Sequence, residues 1–158
     1  MREKPQPVCL RYYGISPWEI EVIYNLFNGK LSIIQEETEQ HKESFVSALT
    51  IDIPLQFSEE FFKWFEFKAW ERVKSIIKEM KRRRGKGHAI LIEIIFTGNP
   101  NVRFVTDSDE NHDFNSAIEK IDFVVELLPY HLNEKNISNN MAEVIYKFNP
   151  SKSRWGLI

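Results

Sequence analysis

The chain has 158 residues, 42% hydrophobic and 28% charged, with a net charge of -2. That length and apolar content predict one domain, residues 1–158 with a polar N-terminal tail over 1–7, whose core needs neither metal nor disulfide. The near-neutral balance excludes global attraction to nucleic acid or anionic membrane, so polyanion binding would need a local patch. The single cysteine, Cys9, excludes an intramolecular disulfide and suits a reducing, cytoplasmic setting.

In chain order, Val8 to Tyr13 is short, apolar and aromatic and ends at Gly14, as a strand does. Ser16-Pro17-Trp18-Glu19 is a capping box with proline at the first helical position, and Asn28-Gly29 stops the helix it opens. Lys30 to Glu37 and Ser44 to Ile53 read as two strands of a hairpin. Ser58 is placed to cap a long helix reaching about Arg84, where Gly85 and Gly87 end it. His88 to Phe96 and Val102 to Thr106 form a hairpin across Gly98-Asn99-Pro100. That apolar run, broken by Glu93, is far short of the roughly 20 residues of a spanning helix, so no membrane anchor is expected. Ser116-Ala117-Ile118-Glu119 opens a third helix, which Pro129 kinks or stops. Glu143 to Phe148 and Arg154 to Ile158 make a last hairpin.

The order predicts an α+β two-layer sandwich with a mostly antiparallel sheet and helices on one face. Its β-α-β-β-α-β start matches a ferredoxin-like split βαβ layout and is followed by a β-α-β-β extension. Splitting each strand by alternation gives one wholly apolar row, including Val8, Leu10, Ile51, Ile92, Phe104 and Tyr146. The other row carries Arg11, Tyr13, Asp52, Glu93, Arg103 and Lys147 among smaller apolar residues. A lone buried charge is too costly, so these charges must meet water or pair with one another. The same mixed character marks the face as a candidate subunit interface or ligand platform, with Tyr13 as its one plausible base-stacking residue.

The second helix is crowded with aromatics from Phe61 to Trp70. Phe62, Phe65, Val73, Ile76 and Met80 form its core stripe, while Trp64 and Phe67, with Trp70 at the edge, fall in a charged sector that another surface must cover. Lys81, Arg82, Arg83, Arg84 and Lys86 form the most basic run, readable as helix C-terminal charge or as a phosphate-contacting patch. Asp107, Asp109 and Asp113 alternate like the opening of an EF-hand loop. His112 replaces the required glycine and Ile118 the bidentate glutamate, so no metal is assigned beyond weak candidates.

No catalytic or cofactor motif is present, and no cofactor is expected. The leading expectation is a non-catalytic interaction or assembly domain, its partner a second copy or another protein, using the mixed sheet face or the Trp64/Phe67 surface. The alternatives are a nucleic-acid-binding module at 81–86, and an enzyme on the sheet face with Glu93 as acid or base and Arg11 or Arg103 holding an anion.

Overall fold

The computed structural model describes residues 7–28, 32–40, 44–55, 61, 63, 65–86, 89–98, 100–131 and 143–158, with α3 side chains described as far as Val124. The elements are β1 (Val8–Tyr13), α1 (Pro17–Phe27), β2 (Ile33–Glu37), β3 (Ser47–Ile53), α2 (Phe67–Arg84), β4 (Ile90–Phe96), β5 (Asn101–Thr106), α3 (Asn111–His131), β6 (Glu143–Asn149) and β7 (Arg154–Leu157). The fold is α+β, a sheet whose seven described strands run in the order β2-β1-β3-β4-β5-β6-β7, with the three helices above among the described residues.

The sheet is mixed, not mostly antiparallel. β1–β2, β3–β4 and β5–β6 pair parallel across their helices, and β1–β3, β4–β5 and β6–β7 pair antiparallel. The expected hairpin of the second and third strands does not form, because β1 lies between them and pairs with both. A split βαβ unit leaves room for a strand between its two parallel strands, whereas here each helix joins immediate neighbours, so the ferredoxin-like order is not the one observed. Strand propensity is legible in the residues; the choice of partner depends on where α1 returns the chain.

The apolar row is the core. Val8, Leu10, Leu49, Ile51, Ile92, Ile94, Phe104 and Tyr146 lose all or nearly all exposure in one cluster with Ile20, Ile23 and Phe27 of α1, Val73, Ile77 and Met80 of α2, and Phe114, Ile118 and Ile121 of α3. An aromatic chain crosses it. Phe27 stacks on Phe65 at 4.7 Å, Phe61 meets Phe96 edge-on at 5.0 Å, and Phe104 meets Trp155 at 5.3 Å. Each such side chain stabilises by about 1.5–3 kcal/mol on burial, so this face holds the fold together.

All three helices therefore share a face, and the strand directions make that notable. β1–α1–β2 and β3–α2–β4 are related by reversal of both strand direction and sideways step, but β5–α3–β6 reverses only one of the two relative to each. The third crossover has the opposite hand to the first two, so at least one of the three departs from the right-handed rule.

Helix boundaries differ from expectation in two of the three cases. The Ser16 box forms as expected, with Ser16 Oγ accepting from Glu19 N–H and Glu19 Oε1 from Ser16 N–H. The proposed Ser58 cap lies outside the described residues; α2 begins at Phe67 after Glu66, whose φ is +21°. α3 begins at Asn111 rather than Ser116 because Phe114 and Ala117 are core residues that the earlier turn brings onto the sheet, and it continues past Pro129 to His131. No helix among the described residues is long and apolar enough to cross a membrane.

Gly14, which closes β1, has φ +66°, and a Cβ there would collide with the Val46 carbonyl oxygen. Gly14→Ala is expected to cost roughly 1–3 kcal/mol from the backbone strain alone. Urea denaturation checks it, and an unchanged midpoint would refute the tight approach of β1 to the residues before β3.

Candidate functional site: the helix-free sheet face

The second row is free of helices among the described residues. Register lines it up in two transverse ranks. One holds Glu36, Arg11, Thr50, Glu93, Val105 and Lys147; the other holds Ile34, Cys9, Asp52, Ile95, Arg103 and Ile145. Sequence alternation predicts which residues share this face. It does not predict the ranks, which depend on strand order.

Each of the five predicted charges has an opposite partner. Arg11 meets Asp52 at 3.5 Å, and Lys147 meets Asp107 at 3.4 Å. Arg103 hydrogen-bonds Glu143 at 2.8 Å and also pairs with Glu93. The Glu143 hydrogen bond, opposed by partial burial and helped by the charge of Glu93, raises the Arg103 pKa. Half-exposed pairs of this kind contribute about 0–1 kcal/mol each. That is less than one buried core side chain, so these ion pairs contribute little to holding the fold. Glu93, the proposed acid or base, is committed to Arg103.

Tyr13 is not a stacking residue. It is buried in a small second cluster with Phe45, Ala48 and Leu91, and its hydroxyl donates to the Phe45 carbonyl at 3.0 Å. The segment before β3 thus folds over one corner of the sheet. Cys9 is half-buried, with a free thiol.

The aromatic helix surface dissolves in part. Trp70 is fully buried, packed edge-on against Phe61 and Phe96, and its indole N–H donates to Asp122 Oδ1 at 2.6 Å. Projection of α2 alone misses this because α3 covers that sector. Phe67 is exposed, as is Phe123 of α3, while Trp64 and Phe62 lie outside the described residues.

The basic run is divided between inside and outside. Lys81 has no exposed surface; its ammonium donates to Asp109 O at 2.7 Å and Gly85 O at 2.9 Å, and burial pulls its pKa down against the charges of Asp109 and Glu110. Arg84 forms a two-pronged pair with Glu19, both bonds 2.9 Å. Arg82 and Arg83 face outward but share Glu79, Arg83 lies over the Trp18 ring at 4.8 Å, and Lys86 reaches Glu110 at 3.8 Å. A polyanion would meet three cations here, not five. Asp107 is paired with Lys147 and Asp113 sits in the first turn of α3, and no metal-binding group of three ligands exists among the described residues.

One concavity has no counterpart in the sequence reading. A groove of about 600 Å³ runs between α1 and β2, with Tyr12, Ile20, Glu21, Tyr24, Gln35 and Glu37 in its lining. Tyr12 belongs to the apolar row but sits beside the edge strand, where the helix layer thins. No family model, no curated protein and no solved structure matches this chain, so the functional reading rests on these surfaces alone.

Proposed function

We propose that the chain is a non-catalytic assembly domain that binds protein through its helix-free sheet face, with a second copy as the first partner. The observation that carries this is a two-layer arrangement in which every described helix packs on one side. Parallel sheets are almost always covered on both faces, and three of the six pairings here are parallel, including the central β3–β4. Half-buried Val105 and Ile145 supply apolar surface on this face, and charges already paired cost less to desolvate than free ones.

The expected result is a solution mass above the 18.8 kDa of one chain at micromolar concentration, falling on Ile145→Lys with the far-UV spectrum unchanged. Light scattering is the measurement. A mass of one chain throughout, or no response to Ile145→Lys, counts against self-association by this face.

A further inference from the structure

β2 and β7 end the sheet, and nothing among the described residues pairs with the outer edge of either. Free strand edges invite pairing, and proteins guard them with proline, bulges or charge. Neither strand contains proline. What they carry is charge of opposite sign. Glu36 and Glu37 of β2 are exposed, as are Arg154 of β7 and Lys152 just before it, and none of the four has an opposite-charge partner among the described residues. Arg11, Asp52, Glu93, Arg103 and Lys147 of the inner strands, by contrast, find partners within the molecule.

The hydrogen-bond phases of the two edges agree. Val8 N–H donates to Ser32 O at 2.9 Å and Thr38 N–H to Tyr12 O at 2.7 Å, which turns Ile33, Gln35 and Glu37 outward from β1. Ile158 N–H donates to Ile145 O at 3.1 Å, which turns Trp155 and Leu157 outward from β6. On both edges the outward-bonding residues are those whose side chains lie on the helix-covered face. The pairings also make β2 and β7 antiparallel to one another. Two copies side by side, helices on the same side, meet these conditions without a flip.

We propose that copies of this chain join edge to edge, β7 of one pairing antiparallel with β2 of the next in the register that sets Arg154 opposite Glu36. That register puts Leu157 opposite Ile33 on the helix side. It sets exposed Ile34 opposite Gly156 and diagonal to exposed Ile158 on the other side. The contact joins two different surfaces, so it repeats into a ring or an open array. It does not depend on the sheet-face contact.

The test is a charge swap read by sedimentation of the full chain at low salt. The wild type is expected to show species larger than a dimer that grow with concentration. Glu36→Arg alone and Arg154→Glu alone each lose them, since each sets like charges opposite. Mixing the two variants restores assembly: the altered β7 edge of one variant meets the altered β2 edge of the other with the two signs exchanged, and the remaining edges are native. Single variants that assemble like the wild type, a mixture that does not recover, or a wild type that never grows beyond a dimer overturns the pairing. Ile145→Lys separates the two contacts: assembly lost there but retained in both edge variants removes the edge pairing and leaves the sheet-face reading, and the converse removes the sheet-face reading.

Discussion

Asp122→Ala is expected to destabilise the chain by roughly 1–3 kcal/mol, the cost of taking a hydrogen-bond acceptor from buried donors. Lys74 of α2 is buried, and its ammonium contacts Asp122 at 2.7 Å, Glu71 at 2.8 Å and Glu119 at 3.4 Å. Burial works to lower its pKa, but the hydrogen bonds to Asp122 and Glu71 and the charges of Asp122 and Glu119 outweigh it, so the pKa is raised. Asp122 also accepts from the Trp70 indole, so one substitution removes a hydrogen bond from each of two buried donors. Lys74→Met removes the charge but keeps the stem, and should cost clearly less. Urea denaturation of the two variants decides the point; equal losses, or a larger loss for Lys74→Met, would show that the α2–α3 seam is held by packing instead. A raised pKa gives stability that is present below the ordinary lysine value and lost as pH climbs through the folded one, so the gap between wild type and Asp122→Ala should narrow in strong alkali.

Acid is expected to remove a second contribution. Glu19 is 2% exposed and is held by Arg84 at 2.9 Å, and that hydrogen bond, opposed by burial and assisted by Ser16 and the Arg84 charge, lowers its pKa from 4.5 to about 2. The same guanidinium reaches Ser47 Oγ at 3.1 Å and Gly14 O at 3.2 Å, tying the ends of α1 and α2 to the top of β1 and β3. Because the folded pKa is depressed, the stabilisation is complete above 4.5 and is lost as pH falls toward 2. Its size is on the order of 3 kcal/mol. Wild type should exceed Glu19→Gln in stability at pH 7 and match it near pH 2. A difference that stays constant over that interval would refute the ionic origin.

Both predictions concern groups that a sequence cannot rank. In one dimension Lys74 is one of several lysines in a charged helical sector, and Lys81 and Arg84 belong to a run that reads equally well as a surface patch. Their burial follows from α3 closing over α2 and from Gly14 approaching the residues before β3, contacts between segments tens of residues apart. Trp70 is core rather than surface for the same reason, and Tyr13 is a covered hydroxyl rather than an exposed stacker because Phe45 folds over it.

Local chemistry is enough for the rest. The Ser16 capping box, the apolar row from Val8 to Phe148 and the charged row from Arg11 to Lys147 are properties of neighbouring residues and of strand alternation, so they are legible in one dimension. Which strands become neighbours is not. Hydrophobic alternation fixes the face a side chain takes and is indifferent to the strand beside it, so β1 can insert between β2 and β3 without changing any row. The side on which each helix returns is likewise set only when its apolar stripe finds the sheet. That choice gathers the described helices on one face, sacrificing a uniform crossover hand, and among the described residues leaves the other face without a helix and the outer edges of β2 and β7 unpaired.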